Sequence, residues 1–280
     1  MFKKAVAIAF LVVFFAGLVG VWQIYRYYQN RKIERVAKMQ QQVEEVTATV
    51  IEGWTVAQIG EYFEKQDLFS KKEFLDAVEK FDTSKFPFVD ARENKKSLEG
   101  YLFPDTYRFA KTETPEEVIT KMLANFSSRV EGAGISVDSK FPQNLTFSEL
   151  ITLASIIEKE SGGKGAVSGA LSLQEERNLV AGVFYNRLQI GQALESDATV
   201  NYVTGKDTPA VSFKDLEINS PYNTYKFAGL PPGPICNPSL GSIKAAFAPA
   251  ETDYMYFLHK QPSGKVDFSK TFPEHVSKKQ

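Results

Sequence analysis

An almost unbroken apolar run near the N-terminus constrains this chain more than any other feature. Residues 5–24 follow Lys3 and Lys4 and contain no charged side chain. A helix of about 20 apolar residues is long enough to cross the hydrocarbon core of a bilayer. The end of the run is rich in the aromatic residues that favour membrane interfaces, namely Trp22, Tyr25, Tyr27 and Tyr28. We predict an uncleaved transmembrane signal anchor over residues 5–24, preceded by a cytoplasmic tail of residues 1–4.

The competing interpretation of this run is a cleavable signal peptide. The run is long for one, and no small-x-small cleavage site is evident. Its orientation does not follow from charge, because more basic residues lie after it than before it: Arg26, Arg31, Lys32, Arg35 and Lys38. The positive-inside rule alone would leave the C-terminal side in the cytoplasm, but long domains translocate despite flanking charge. The side of the membrane must therefore be argued from function.

Composition limits the chemistry available to the rest of the chain. Residues 25–45 are polar and glutamine-rich, which predicts a helical stalk. Beyond the stalk the composition is that of a globular protein, with 43% hydrophobic and 24% charged residues in the whole chain. The net charge of −1 gives no basic field for nucleic acid. A single cysteine, Cys236, excludes an internal disulfide, and two histidines, His259 and His275, argue against a metal centre. We predict no cofactor.

The segment after the stalk predicts a small β-α-α-β subdomain over residues 46–110. Residues 46–51 alternate β-branched side chains, as a strand does, and residues 99–109 predict the second strand. Two helices lie between them, the first with Thr55 as its N-cap and the second with a capping box at Ser70 and Glu73. This order resembles the LysM module, which binds N-acetylated glycans. The alternative is a packing subdomain that binds no ligand.

A helix from Thr146 to Ser161 carries the strongest candidate for chemistry. A capping box starts it and glycines from Gly162 onwards are expected to stop it. Its apolar face is formed by Leu150, Leu153, Ala154 and Ile157. The same spacing places Glu160 on the apolar side and Glu158 on its flank. A carboxyl group carried toward a core has a raised pKa, which suits a general acid. The alternative is a helix-end glutamate that turns into solvent or pairs with Lys159 or an arginine.

Three segments follow that predict a polar cleft in a mixed α+β domain over residues 111–280. Residues 162–171 predict a loop, and a helix closed by Gly191 carries Asn186 and Arg187 beside its core stripe. Asp197 is either a helix N-cap or a second acidic group at the cleft. Residues 220–239 combine aromatic, amide and hydroxyl side chains with a Pro-Pro-Gly-Pro run, which stiffens a loop. A helix over residues 240–247 and a β-hairpin complete the chain.

The order of these motifs resembles the endolytic murein transglycosylases, the YceG-like or MltG family, over roughly residues 46–276. The motifs are GYLFPDTYRF, LASIIEKES, VFYNRL, SDATVNY, SPYNTYKFAGLPPGPICNPS and a terminal YFLHK/DFSKTF hairpin. The YNTY and LPPGPI stretches are the most specific. Two departures stand out. The loop of residues 162–174 is longer than usual, and Ala198 takes the place of an expected proline.

The resemblance implies a peptidoglycan lytic transglycosylase with Glu160 as its single general acid and base. It further implies substrate positioning by side chains on three segments: Tyr222, Asn223, Thr224 and Tyr225, with Asn186, Arg187 and Asp197 near them. Arg187 is expected to pair with Glu158 or Asp197. The partners implied are peptidoglycan strands, the cytoplasmic membrane and peptidoglycan synthases, with the catalytic domain on the extracytoplasmic side of the cell inner membrane. The alternatives are a wall-binding scaffold without turnover and a hydrolase that uses Glu160 with Asp197.

Overall fold

The computed structural model describes residues 17–34, 36, 44–90, 97–161, 171–206, 211–260 and 265–279. The fold is mixed α+β, as predicted, with many helices and two small sheets of two strands each. The chain divides into two compact units, the first comprising residues 1–45 and 110–112. The second unit comprises residues 46–109 and 113–280 and contains the candidate site. The domain boundary predicted at residues 110 and 111 stays a prediction.

Helix α1 covers residues 17–34 in the first unit. In the part of the chain that the structure describes, no helix has both the length and the apolarity needed to cross a membrane. The predicted span of residues 5–24 lies largely outside the described residues, which begin at residue 17. The stalk prediction also falls in part on residues 35 and 37–43, outside the described chain. The anchor and the stalk therefore stay predictions.

The predicted β-α-α-β order is present in the N-terminal part of the second unit. Strand β1 (Glu45–Thr49) is followed by helices α2 (Val56–Lys65) and α3 (Lys71–Lys80), and it pairs with β2 (Thr106–Ala110). Thr55 is the N-cap of α2 and Ser70 begins a capping box at α3, both as predicted, and Gln58 completes a capping box at Thr55 as well. Phe63 packs edge-to-face on Phe74 and on Phe109, with ring centroids 5.2 and 5.7 Å apart. Aromatic packing thus joins the helices to β2.

The second strand is shorter than the predicted range of residues 99–109. Residues before β2 form turns around a short helix, α4 (Pro87–Asp90), and around Gly100, which has a φ of +90°. The backbone N–H groups of Gly100 and Leu102 donate to Asn237 Oδ1, at 3.0 and 2.9 Å, instead of to a strand. Asn237 Nδ2 also donates to the Trp54 carbonyl at 2.9 Å. A side chain distant in sequence therefore sets the conformation of this segment.

Helix α6 (Phe147–Glu160) is buried on nearly all sides, although its pattern predicts a single apolar face. After α5 (Pro115–Gly132) it begins at the predicted capping box of Thr146 and Glu149. The polar side chains along it do not mark a solvent face, because Thr152 Oγ1 donates to the Ser148 carbonyl at 2.8 Å and Ser155 Oγ to the Thr152 carbonyl at 2.7 Å. Hydroxyls satisfied within the helix can be buried. The prediction of an amphipathic helix was wrong, and α6 is the central helix.

The remaining elements are α7 (Leu173–Gln189), α8 (Asp197–Thr204), α9 (Phe213–Leu216), α10 (Leu240–Phe247), β3 (Tyr256–Lys260), β4 (Lys265–Ser269) and α11 (Phe272–Lys278). Of these, α7, α8 and α10 pack directly against α6. The hairpin is confirmed as antiparallel, with Tyr256 opposite Ser269 and Lys260 opposite Lys265. Ser196, not Asp197, is the N-cap residue of α8. The glycine stop after α6 and most of the predicted loop of residues 162–171 lie outside the described residues.

Candidate active site

Glu160 is the last residue of α6, where a helix end brings its side chain out of the core. The side chain is half-buried. Ser196 is the residue immediately before α8, and its Oγ donates a hydrogen bond to Glu160 Oε1 at 2.5 Å. Within the described residues the Glu160 carboxyl has no ion-pair partner, so the alternative pairing with Lys159 or an arginine is not formed. The carboxyl is therefore held by a neutral donor.

The surroundings of Glu160 raise the pKa of its carboxyl group. Burial is the largest cause, and the negative charge of Asp197 acts in the same direction. The hydrogen bond from Ser196, the charge of His259 and the backbone N–H of Ala198 act in the opposite direction but do not cancel it. The helical spacing predicts this partly buried environment. A carboxyl with a raised pKa retains its proton at higher pH and can act as a general acid.

His259 fixes the backbone at this helix end. Its Nε2 lies 2.8 Å from the carbonyl oxygen of Glu160. Because a carbonyl can only accept, Nε2 carries the proton in this contact. The last carbonyls of a helix lack partners inside the helix, so a donor on β3 satisfies one of them and ties the hairpin to the site. Sequence reasoning considered His259 only as a metal ligand and missed this role, although its place in the terminal hairpin motif was visible.

Asp197 and Tyr225 form the second half of the site. The Tyr225 hydroxyl donates to Asp197 Oδ1 at 2.6 Å, and both side chains are half-buried. Burial raises the pKa of Tyr225, and its hydrogen bond to Asp197 raises it further. The adjacent residues Ser196 and Asp197 thus reach two different partners, Glu160 and Tyr225. Two carboxyl groups and a phenol are brought together at the start of α8.

Asn223 and Thr224, both predicted as substrate contacts, lie behind this surface and are fully buried. Asn223 Nδ2 donates to the carbonyls of Leu216 and Ile218, each at 2.9 Å. Thr224 Oγ1 accepts from the Ser196 backbone N–H at 3.1 Å. Their polar groups are occupied by the protein itself, so they shape the backbone of the site.

Tyr222 lies on the same loop and is half-buried. Its ring packs against Tyr202 of α8, with centroids 5.1 Å apart and planes tilted by 44°. This contact fixes the ring and leaves part of it exposed. Of the four residues of the YNTY stretch, Tyr222 and Tyr225 are therefore the two that present surface to solvent.

Asn186 and Arg187 hold the segment before the hairpin against α7. Asn186 Nδ2 donates to the carbonyls of Thr252 and Tyr254 at 2.7 and 2.9 Å. Arg187 is buried and donates through Nε to the Met255 carbonyl at 2.8 Å. Its ion-pair partner is Glu195, at 3.2 Å, and not Glu158 or Asp197 as expected. The structure shows both residues in contact with protein backbone.

Glu158 points away from this site and anchors α10. Its Oε2 accepts from Ser239 Oγ at 2.5 Å, from the Ser239 backbone N–H at 3.0 Å and from Ser242 Oγ at 2.6 Å. Its Oε1 lies 3.3 Å from Arg177 Nη2. A carboxylate is favourable at the N-terminal end of a helix, where backbone N–H groups are unpaired. The two glutamates of α6 therefore serve different parts of the protein.

Comparison with known proteins adds to this geometry. The model of the YceG-like family matches residues 19–280, nearly the whole chain. The chain belongs to the YceG-like family. A solved relative agrees: a crystal structure of a yceG-like protein, lmo1499 of Listeria monocytogenes, superposes with a TM-score of 0.72 at 32% sequence identity. The superposition covers 88% of this chain and 80% of that chain. The fold and the family are thus established together.

Curated relatives of this YceG-like chain carry a functional name. The endolytic murein transglycosylase of Bacillus subtilis (strain 168) is 40% identical over 244 residues, which cover 83% of this chain and 64% of the relative. The endolytic murein transglycosylase of Streptococcus pneumoniae serotype 2 (strain D39) is 34% identical over 262 residues, which cover 83% of this chain and 45% of the relative. The matches therefore span only about half to two thirds of these relatives.

Proposed function

We propose that this YceG-like chain is an endolytic murein transglycosylase. It would cleave the bond between N-acetylmuramic acid and N-acetylglucosamine inside peptidoglycan strands and leave a 1,6-anhydro-N-acetylmuramic acid end. The observation that carries the proposal is the Glu160 carboxyl, half-buried and with a raised pKa, beside the hydroxyl of Ser196. The names of the relatives in Bacillus subtilis and Streptococcus pneumoniae support the substrate and the reaction class.

The proposed reaction needs one carboxyl group that acts twice. Protonated Glu160 donates its proton to the glycosidic oxygen while the bond from C1 of the muramic acid to that oxygen breaks. The carboxylate that results then takes the proton from the C6 hydroxyl of the same sugar, and the C6 oxygen bonds to C1. Glu160 ends in its starting state and no water is consumed. A single residue serves as acid and then base, whereas ordinary glycosidases divide the work between two carboxyl groups.

The surroundings of Glu160 suit this double role. Burial keeps the proton on the carboxyl in the first step, and the donors Ser196 and Ala198 N–H stabilise the carboxylate that the second step needs. Asp197 adds a second acceptor near Glu160, held by the Tyr225 hydroxyl. We assign Tyr222, Tyr225 and Asp197 to substrate positioning, since these side chains are half-buried. Asn223, Thr224, Asn186 and Arg187 would hold the backbone behind them.

We also propose how the enzyme is placed. Peptidoglycan lies outside the cytoplasmic membrane, so the domain would face the extracytoplasmic side of the cell inner membrane. Residues 5–24 would be the single-pass anchor and residues 25–45 the stalk. The β-α-α-β region would bind glycan in the manner of a LysM module, and peptidoglycan synthases would be the protein partners. A topology reporter fused after Gln280 tests the orientation, because the proposal requires the reporter to lie outside the cytoplasm.

The reaction is tested by digestion of purified peptidoglycan in ¹⁸O-labelled water with the full-length protein in detergent. A transglycosylase yields 1,6-anhydro ends that contain no ¹⁸O. A hydrolase using Glu160 with Asp197 yields reducing ends that carry ¹⁸O, and a scaffold yields no new ends but sediments with the wall. Either of the last two results would overturn the proposal. Glu158→Gln is the matched control, because Glu158 lies two residues from Glu160 and contacts a different part of the protein.

A further inference from the structure

The hydroxyl of Ser196 has one partner among the described residues, and that partner is Glu160 Oε1 at 2.5 Å. Ser196 is 2% exposed, so bulk water does not replace this contact. Because the Ser196 hydroxyl has one hydrogen and one acceptor within reach, it donates that hydrogen to the Glu160 carboxyl. Glu160 Oε1 is thus the accepting oxygen of the carboxyl group.

The backbone of Ser196 is fixed on both sides by two threonines. Its N–H donates to Thr224 Oγ1 at 3.1 Å, and its carbonyl accepts from Thr199 Oγ1 at 2.7 Å. The two threonine hydroxyls lie 2.8 Å apart. Because Thr199 gives its only hydroxyl hydrogen to the Ser196 carbonyl, Thr224 must be the donor in the contact between the threonines. All three hydroxyls then have defined directions, and the backbone that carries the Ser196 side chain is held beside Glu160.

We propose that Ser196 is a positioning residue that places the catalytic proton of Glu160 on Oε2. The inference rests on the proposed function. A protonated carboxyl has one accepting oxygen and one oxygen that carries hydrogen. Since Ser196 donates to Oε1, the proton resides on Oε2, which becomes the oxygen that donates to the glycosidic bond and later receives the proton of the C6 hydroxyl. The same hydrogen bond stabilises the ionised form after the first step.

Other groups that act on the Glu160 carboxyl are separate from the Ser196 side chain, whose one partner among the described residues is Glu160. His259 belongs to β3, Asp197 and Ala198 to α8, and Tyr225 to the loop before α10. Removal of the Ser196 hydroxyl therefore isolates one donor. The hydrogen bond from Ser196 lowers the pKa of Glu160 and burial raises it, so the pKa rises when the hydrogen bond is lost.

The test measures the pKa of Glu160 by NMR in full-length protein with labelled glutamate, together with kcat and KM on soluble glycan strands. We expect Ser196→Ala to raise the pKa of Glu160 and to lower kcat roughly 10- to 100-fold, with KM nearly unchanged, because a misplaced catalytic group affects the transition state more than binding. Ser196→Thr restores a hydroxyl and should recover much of kcat. Cysteine is similar in size to serine, but its S–H group is a weak donor. Ser196→Cys should therefore have the same effects as Ser196→Ala, and it replaces that variant in the test if Ser196→Ala does not fold.

Ser239→Ala is the matched control, since it removes a hydroxyl–glutamate hydrogen bond of the same 2.5 Å length from Glu158. It should lower the melting temperature and leave the pKa of Glu160 and kcat unchanged. The inference is overturned if Ser196→Ala leaves both values unchanged, or if Ser239→Ala moves them equally. If the wild-type protein forms no anhydro ends, the proposed function fails, while the NMR titration still shows whether Ser196 controls the Glu160 carboxyl.

Discussion

Arg177 Nη2 lies 3.3 Å from Glu158 Oε1, in a contact where only 10% and 8% of the two side chains are exposed. Glu158 also binds Ser239 and Ser242 at the start of α10. This buried ion pair therefore joins α6, α7 and α10 and assigns Glu158 a structural role.

Glu158→Gln is expected to destabilise the protein without a specific loss of activity. Removal of one charge from a buried pair leaves Arg177 with only the more distant and largely exposed Glu52, at 3.9 Å. This loss costs about 3 kcal/mol of unfolding free energy. Urea denaturation measures this loss, and the activity per folded molecule should match the wild type. A stable Glu158→Gln variant without activity would show that Glu158 belongs to the catalytic machinery.

Gly100→Ala tests how the GYLF and LPPGPI motifs fit together. Gly100 has a φ of +90°, and a Cβ there would lie 2.5 Å from Pro234 Cγ. The left-handed backbone and the overlap together should cost about 3 kcal/mol. Thermal denaturation measures the loss, with Gly132→Ala as the control because its Cβ would meet no atom within 4 Å. Equal melting temperatures for the two variants would contradict this packing.

Glu99→Gln tests a buried carboxyl outside the site. Burial raises the pKa of Glu99 to about 8, although the Val56 N–H donates to it at 3.0 Å. Between the ordinary value of 4.5 and about 8, the folded state binds more protons than the unfolded state, so folding stability falls as pH rises through this window. Glutamine does not ionise. The unfolding free energy of Glu99→Gln relative to wild type should therefore increase from pH 5 to pH 8. A difference between the two denaturation midpoints that stays constant over this range would contradict the prediction.

Ala198→Pro tests a departure from the family pattern. Ala198 stands where the resemblance leads us to expect proline, and its backbone N–H lowers the pKa of Glu160. Proline has no N–H and is tolerated in the first turn of a helix. The variant should therefore raise the pKa of Glu160 and move the alkaline limb of the pH–rate profile to higher pH. Ala198→Gly keeps the N–H and should leave the limb in place, and the same profile for all three proteins would contradict the role of this donor.

Local sequence signals predicted the helix starts and the hairpin well. The N-cap at Thr55 and the capping boxes at Ser70 and Thr146 each use a hydroxyl that accepts from the backbone N–H three residues later, and this chemistry acts within one turn. Helical spacing also predicted that Glu160 faces a partly buried environment. These features depend on neighbours in sequence, so the chain alone reveals them.

Contacts between distant segments were not predictable from the sequence. Asn237 binds the backbone of Gly100 and Leu102, which breaks the expected strand, and this pairing spans more than a hundred residues. Asn223 and Thr224 have residue types suited to sugar binding, yet tertiary packing uses them inside the loop. The sequence did not reveal Ser196 as a partner of Glu160, because these two residues meet only where the start of α8 approaches the end of α6.

The most direct test of the central claim compares Glu160→Gln with the wild-type protein in the release of 1,6-anhydro ends from peptidoglycan. Glutamine preserves the size of the side chain but can neither donate a catalytic proton nor recover one. We expect anhydro ends to disappear while the variant stays folded. Its melting temperature should be at least that of the wild type, because a carboxyl with a raised pKa has been removed. A folded Glu160→Gln variant that still releases anhydro ends would contradict the claim.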